Sequence, residues 1–201
     1  MSALPPKNLL SGDGEALNHG TIFAGDADQL FVRLQEEIPW QHDVVKMFGK
    51  TITTARKVAW YGDKELAYTY SGMTKEPLAW TGLLTKLKEQ VESETRETFN
   101  SCLLNLYHDG SEGMSWHRDN ESSIRKHSPI ACLTFGAVRR FHFKHLASKE
   151  RITTMLEHGS LLVMAGKIQT HWMHCLPKMV GVKNPRVSLT FRQMETLGDE
   201  A

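Results

Sequence analysis

The segment Ser115–Glu121 reads SWHRDNE and places a histidine and a carboxylate two residues apart. On an extended strand the side chains of residues i and i+2 project from the same face, so the imidazole of His117 and the carboxylate of Asp119 can meet at one point. A second histidine from elsewhere would complete two imidazoles and one carboxylate on one face of a metal ion, the arrangement that non-haem Fe(II) oxygenases use. The alternative for an isolated HxD is a solvated turn, so the prediction of a metal site depends on what accompanies it.

The segment HWMH at positions 171–174 offers two candidates for the second histidine. Other histidines fit less well: His142 and His145 are three residues apart and cannot share one face of a strand, and His127 lies in a polar loop. Spacing alone does not choose between His171 and His174.

The segment Arg186–Arg192, RVSLTFR, alternates polar and apolar residues without a break, which predicts a strand with two different faces. Its polar face carries a guanidinium at each end, on Arg186 and Arg192, with Cα atoms roughly 20 Å apart at ~3.3 Å per residue. Guanidinium groups that face the inside of a barrel are unfavourable unless they meet anions. A short dicarboxylate between these long side chains would receive a forked pair of hydrogen bonds at each end. The alternative is that one or both arginines point to solvent on an edge strand.

Two helices are predicted in the first half of the chain. The segment Asp26–Ile38 repeats leucine and isoleucine at helical spacing, has Asp26 or Asp28 available as a cap, and ends before a proline. The segment Pro77–Thr98 carries an apolar stripe, and Pro77 suits its first turn. Residues 1–25 have few regular signals and are expected to form an extended entry segment.

From position 100 onward the pattern changes to short strands separated by glycine-rich breaks. The predicted strands are Ser101–Tyr107, the HRD segment, Ile130–Phe135, Arg140–Lys144, Ile152–Leu156, Ser160–Ala165, His171–Pro177 and Arg186–Gln193. Strands at this spacing are typical of a β-sandwich or jelly roll. The expected architecture is therefore α+β, with helices packed on a β-roll and the HxD at the mouth of the roll.

The segment 41–70 combines cations with aromatic residues. Its first part has a local charge excess of +3 around Met47-Phe48-Gly49. A hairpin tip of this kind can touch phosphates while it inserts an apolar wedge into a base stack. A phenylalanine packed in the core is the alternative. Tyr68 and Tyr70 share one face of a short strand and either line the core or form aromatic walls for a planar ligand.

Composition restricts the possibilities further. The chain has 201 residues and a formal net charge of +1, which predicts one domain and gives no global basic field for nucleic acid. Three scattered cysteines form no CxxC pair and suggest neither a zinc ribbon nor a disulfide framework. We expect a reducing compartment, the cytoplasm or in a eukaryote the nucleus, and a monomer. No apolar run reaches the length of a membrane span, and no membrane association is expected.

In several of these motifs the chain resembles the AlkB family of Fe(II)- and 2-oxoglutarate-dependent nucleic-acid demethylases. The motifs are SWHRDNE, HGSLLVMAG, HWMHCLPK and NPRVSLTFR, and the similarity extends to MFGK, RKVAWYGD, YTYSG and NLYHDG. It runs from about Val45 to Met194. The FGK and YTYSG stretches are most similar to the branch that repairs double-stranded DNA.

The resemblance implies a single dioxygenase domain over residues 1–201, with a double-stranded β-helix (jelly roll). The core is expected at about 100–194 and a nucleotide-recognition hairpin lid at about 41–75. It also implies Fe(II) and 2-oxoglutarate, with O₂ as oxidant. The implied iron ligands are His117, Asp119 and His174, the last because the family's W-x-H aligns its distal ligand there. The implied cosubstrate residues are Asn105, Tyr107, Arg186, Ser188 and Arg192.

The same resemblance implies a set of substrate contacts. Phe48 falls at the position of an intercalating finger, Arg56 at a DNA-contacting position, and Tyr68 and Tyr70 in the pocket for a flipped base. The full set is Phe48, Gly49, Lys50, Arg56, Tyr68, Tyr70, Asn120 and Glu121. Two positions depart from the family pattern: Asn120 stands where a second aspartate is common, and Ser188 where an asparagine is common.

The activity implied is oxidative demethylation of 1-methyladenine and 3-methylcytosine in DNA, with release of formaldehyde, succinate and CO₂. The implied partner is double-stranded DNA with a flipped methylated base. The alternatives are the same chemistry on RNA, single-stranded DNA or protein, a non-catalytic module that binds damaged bases, and a zinc hydrolase.

Overall fold

A computed structural model of the chain describes residues 5–47, 50–66, 68–70 and 73–195. It contains helices α1 (Ala27–Glu37), α2 (Gly82–Thr95) and the short α3 (Ile168–His171), with a 3₁₀ turn at Lys64–Leu66. Its strands are β1 (Lys7–Asn8), β2 (Glu15–Thr21), β3 (Gln41–Met47), β4 (Lys50–Gly62), β5 (Tyr68–Tyr70), β6 (Met73–Lys75), β7 (Ser101–Tyr107), β8 (Met114–His117), β9 (Ile130–Gly136), β10 (Arg139–His145), β11 (Arg151–Leu156), β12 (Ser160–Ala165), β13 (Trp172–Leu176) and β14 (Arg186–Arg192).

Two antiparallel sheets form the body of the protein. The large sheet has the strand order β1-β2-β12-β9-β14-β7-β4-β3, and the small sheet has the order β11-β10-β13-β8. Strands β5 and β6 pair separately as a short hairpin. The arrangement agrees with the predicted α+β jelly roll with N-terminal helices.

The large sheet has two chemically different faces because its strands alternate. Its helix-facing side packs α1 and α2 in one apolar cluster, in which Leu34, Leu84, Leu104 and Phe191 are fully buried. A second apolar cluster contains Phe143 from the small sheet and further residues from both sheets. The sheet thus separates a helix-packed core from the side on which the polar residues of β14 lie.

The structure differs from the sequence predictions at the N-terminal side. Strands β1 and β2 lie in the segment expected to be an extended entry, and β2 pairs with β12. Strand β4 lies within the expected lid segment, yet over Lys57–Gly62 it pairs with β7 of the predicted core. The large sheet therefore includes β1–β4, which all lie outside the 100–194 range predicted for the core. None of the helices in the described part of the chain has the length and apolarity that crossing a bilayer requires.

Helix ends also differ from the predictions, and capping explains the second case. Helix α1 begins one residue after Asp26, whose side chain makes no capping hydrogen bond. Helix α2 begins at Gly82 rather than at Pro77, because Thr81 is its N-cap. The Thr81 hydroxyl oxygen accepts the Leu84 backbone N–H at 3.2 Å, which satisfies one of the donors that a helix start leaves unpaired.

We expect Thr81→Ala to lower the free energy of unfolding by about 1 kcal/mol, since the Leu84 N–H loses its acceptor. The measurement is the urea midpoint at an unchanged m-value. Thr85→Ala, one turn further into α2, is the control. Alanine has the higher helix propensity there, so no comparable loss is expected. Equal midpoints for the Thr81 variant and the wild type would refute the capping assignment.

Candidate active site

His117 and His174 face each other across two paired strands. Strand β13 pairs with β8 in a register that sets His174 directly opposite His117. Their ring centroids are 4.2 Å apart. The His117 Nδ1 lies 2.8 Å from the Ser115 carbonyl oxygen, which can only accept, so Nδ1 carries the proton. The Nε2 lone pair of His117 is therefore free for a metal ion.

Asp119 completes the group, although it does not lie on the strand. Strand β8 ends at His117, so the expected i, i+2 geometry of one continuous strand does not apply to the carboxylate. Its Oδ1 nevertheless lies 3.7 Å from His117 Nε2. The ligand atoms of His117, Asp119 and His174 lie within 4.8 Å of one another, which suits one divalent metal ion.

The protonation states of the group favour metal binding at neutral pH. Burial lowers the pKa of His174 to about 3, so its imidazole is neutral and has a lone pair to donate. Burial opposes ionisation of Asp119, but Arg192, His174 and His117 outweigh it and hold the pKa of that carboxyl below its ordinary value. The neutral imidazole of His174, the Nε2 lone pair of His117 and one carboxylate are the donor set expected for ferrous iron.

A cavity of about 300 Å³ adjoins these three side chains and also contains both arginines of β14. Arg186 is 2% exposed, and its Nη2 donates to the Thr134 hydroxyl at 2.9 Å. Its Nε has no hydrogen-bond partner, and within the described residues its guanidinium forms no ion pair. A buried guanidinium without an anion is costly, so this end of the cavity is suited to a carboxylate ligand.

Arg192 lies at the metal end of the cavity. Its Nη2 is 3.2 Å from Asp119 Oδ2, and its Nε is also buried without a partner. The two arginines of the strand therefore have different surroundings: Arg192 neutralises a protein carboxylate and Arg186 does not.

The remaining residues predicted to contact a cosubstrate line the same cavity. In the pairing of β14 with β7, Arg186 lies opposite Tyr107 and Ser188 opposite Asn105. All of these side chains are buried. Burial raises the pKa of Tyr107 against the opposing effect of Arg186, so its phenol remains a hydrogen-bond donor. The structure thus brings the five predicted cosubstrate residues together.

His171, which spacing alone left as an alternative, lies in a different group. It ends α3 and approaches Asp13 and His145. The Ser148 backbone N–H donates to Nδ1 of His145 at 3.0 Å, so in neutral His145 the proton is on Nε2. That nitrogen faces Asp13 Oδ2 at 3.2 Å and has no lone pair for a metal. We interpret this group as a polar cluster and assign the metal ligand to His174.

The predicted substrate residues are more scattered. Asn120 and Glu121 are exposed, and both line a second groove of about 460 Å³ that shares Arg118, Asp119 and Glu121 with the cavity. Arg56, predicted to contact DNA, also has partners within the protein. Its guanidinium is bonded to Asp43 Oδ2 at 2.8 Å and to Asn105 Oδ1 at 3.0 Å.

The remaining substrate predictions fall in the hairpin region. Phe48 and Gly49 lie outside the described residues. Only the backbone is described for Lys50, Tyr68 and Tyr70: Lys50 pairs with Met47 in the β3–β4 hairpin, and the tyrosines lie on β5.

Three residues of the site were not found by sequence reasoning. Thr134 accepts a hydrogen bond from Arg186, Phe141 stacks on His174 with centroids 5.5 Å apart, and Gln169 accepts one from the Asp119 backbone N–H. Thr134 and Phe141 occupy predicted strands, so strand alternation together with the register could have indicated them. Gln169 lies 50 residues from its partner, and no local signal marks it.

Known proteins resemble this chain in sequence and in fold. Residues 16–192 match the model of the 2OG-Fe(II) oxygenase superfamily. The chain is 37% identical over 205 residues to human DNA oxidative demethylase ALKBH2, covering 96% of this chain and 78% of the relative. It is 38% identical over 183 residues to bovine alpha-ketoglutarate-dependent dioxygenase alkB homolog 3, covering 86% of this chain and 63% of the relative. A solved structure titled "The structure of OsALKBH1" matches with a TM-score of 0.62 at 15% identity, covering 94% of this chain and 100% of that one, which supports the fold.

We expect Arg192→Met to weaken metal binding most at acidic pH. Arg192 lowers the pKa of Asp119, and without that charge the pKa rises and protons compete with the metal at higher pH. The measurement is Mn(II) affinity of the apoprotein between about pH 4 and 7. The fall in affinity should begin at a higher pH than in the wild type. Arg33→Met removes an arginine from an exposed ion pair on α1 and should leave the pH profile unchanged. Parallel profiles for the Arg192 variant and the wild type would contradict the electrostatic role.

Proposed function

Since the chain belongs to the 2OG-Fe(II) oxygenase superfamily and, within it, to the AlkB family, we propose that it is a DNA oxidative demethylase. It uses Fe(II), 2-oxoglutarate and O₂ to remove methyl groups from N-alkylated bases. The observation that carries this conclusion is that a His-Asp-His group and an unpaired buried guanidinium share one cavity.

The residues present fit both implied groups. His117, Asp119 and His174 would hold Fe(II), which when bound supplies oxidation of the N-methyl carbon. Arg186 would bind a carboxylate of 2-oxoglutarate, and Tyr107 is positioned to donate beside it. Asn105 Oδ1 already accepts from Arg56, so its amide N–H groups remain to donate toward the cavity.

The exposure of the ligands indicates where the substrate approaches. The His117 side chain is 34% exposed, whereas that of Asp119 is 6% exposed. The open side of the group is therefore at His117, and the buried side is toward β14. A planar base would reach the site past the His117 ring, next to the exposed Asn120 and Glu121.

A nucleic-acid substrate is supported by the charges beside this opening. The adjoining groove contains Arg118, Arg125 and Lys126 as well as the carboxylates of Asp119, Glu121 and Glu195. In the described part of the chain none of the three cations forms an ion pair. Unpaired cations next to a reactive site are suited to phosphate contacts.

For the finer substrate we propose double-stranded DNA carrying 1-methyladenine or 3-methylcytosine, with the damaged base flipped out. A methyl group on a Watson–Crick nitrogen is inaccessible inside a duplex, and methylation already weakens the pair that must open. The β3–β4 hairpin is paired up to Met47 and Lys50, so its tip is at the position where the family resemblance implies a finger formed by Phe48. We also propose a monomer in a reducing compartment, in keeping with three free buried cysteines.

A non-catalytic module that binds damaged bases is less consistent with the site. Such a module has no need for a metal ligand set or for an anion receptor, and both are present here. The same chemistry on RNA or single-stranded DNA remains the second candidate, because unpaired cations are equally suited to the phosphates of either nucleic acid.

The first test is formaldehyde release from a duplex oligonucleotide with one 1-methyladenine. We expect release that requires both Fe(II) and 2-oxoglutarate, and none from Asp119→Ala, which lacks the carboxylate ligand. Single-stranded DNA and RNA of the same sequence complete the panel. Absence of formaldehyde from all substrates, while a known demethylase is active in the same buffer, would reject the function.

The second test addresses the finger. We expect Phe48→Ala to slow demethylation of duplex DNA far more than that of the matched single strand, since only the duplex has a vacated stack to fill. The single-stranded rate serves as the internal control for folding and metal loading. Equal losses on both substrates, or no loss on either, would refute the duplex-specific role.

A further inference from the structure

The position of Asp119 poses a structural problem. Its two partner ligands, His117 and His174, lie on the paired strands β8 and β13, whose ladder fixes their backbones. Asp119 lies two residues beyond the end of β8 and has no strand partner. A ligand on a loop is positioned less accurately than one on a strand unless other contacts fix it.

The contact that fixes its backbone comes from a distant side chain. The Asp119 backbone N–H donates to Gln169 Oε1 at 3.0 Å. The other end of the amide, Gln169 Nε2, is 3.7 Å from the Met164 sulfur, a weak acceptor. The Asp119 N–H can bond only to an acceptor. The contact therefore requires the oxygen of the Gln169 amide, rather than its nitrogen, to face Asp119.

We propose that Gln169 is a positioning residue for the metal site: it holds the Asp119 backbone so that the carboxylate faces His117 and His174. This role rests on the proposed function, because it concerns the same iron site. Arg192 restrains the carboxylate itself, and Gln169 restrains the main chain that carries it. Together they replace the strand ladder that Asp119 lacks.

Gln169 can serve this role because α3 is itself held tightly. The preceding residue, Ile168, is 1% exposed in the apolar cluster between the sheets. Gly14 packs so closely on it that a Cβ at Gly14 would lie 2.5 Å from the Ile168 backbone nitrogen. Trp172, directly after α3, donates its indole N–H to the Gly12 carbonyl oxygen at 3.1 Å. The turn between β1 and β2 therefore clamps α3 on both sides of Gln169.

This arrangement links the two sides of the ligand set. Helix α3 runs directly into β13, which carries His174, while Gln169 on α3 holds Asp119. The position of Asp119 relative to His174 is therefore fixed through the short segment from Gln169 to His174, in addition to the strand pairing of the sheet. Outer contacts of this kind typically change metal affinity by about 10–100-fold when they are removed.

The test is Mn(II) binding to the apoprotein, which requires no turnover. Gln169→Met keeps the length and volume of the side chain but removes the acceptor, and we expect about a 10–100-fold loss of Mn(II) affinity. Gln169→Glu keeps an acceptor oxygen at the same reach and should bind within a few-fold of the wild type. Gln90→Met removes a glutamine that is hydrogen-bonded on α2, far from the site, and should have no effect.

A second readout separates positioning from general stability. In formaldehyde assays the Met variant should require more Fe(II) for half-maximal rate while reaching a similar rate at saturating metal. If Gln169→Met does not fold, Gln169→Asn withdraws the same amide by one methylene and should show the same loss. Wild-type affinity in the Met or Asn variant, or equal losses in the Met and Glu variants, would overturn the proposal. A wild-type apoprotein that binds no Mn(II) would instead refute the metal site on which it rests.

Discussion

A carboxylate buried between two sheets is the constraint on which this site depends. Asp119 is 7% exposed, and a charge removed from water to that extent is unfavourable unless it is paired and hydrogen-bonded. Arg192 supplies one positive partner. A divalent ion held with His117 and His174 supplies the rest, and for this reason the buried carboxylate, the neutral imidazole of His174 and the guanidinium form one electrostatic unit.

The jelly roll makes that unit possible because it separates two kinds of environment by a single layer of strands. On β14, Leu189 and Phe191 pack against the helices, while Arg186 and Ser188 face the cavity on the other side. A shift of one residue in register would exchange these sets and bury the arginines among the helices. The large apolar area under α1 and α2 therefore also fixes the orientation of the polar groups, and stability and site geometry share one register.

The sequence was informative wherever a residue belongs to a strong period. The alternation in Arg186–Arg192 predicted both the strand and its polar face, and the structure agrees. Spacing could not separate His171 from His174, since the difference lies in a short helix that ends at His171 and in a strand register. Strand β2 was missed because its mixed sequence gains its structure from pairing with β12. The Gln169 contact joins positions 50 apart and has no period at all.

The ligand set does not by itself decide the chemistry, because two histidines and a carboxylate also suit a zinc hydrolase. The end of the cavity that contains Arg186 distinguishes an oxygenase from a hydrolase. A hydrolase needs only a water beside its metal, and a buried guanidinium such as Arg186 would be an unexplained cost in it. An enzyme that consumes a dicarboxylate needs such a group within reach of the metal, with donors such as Tyr107 beside it. The buried guanidinium of Arg186, with Thr134 as its one hydrogen-bond partner in the described residues, is therefore evidence for the oxygenase that is independent of the metal ligands.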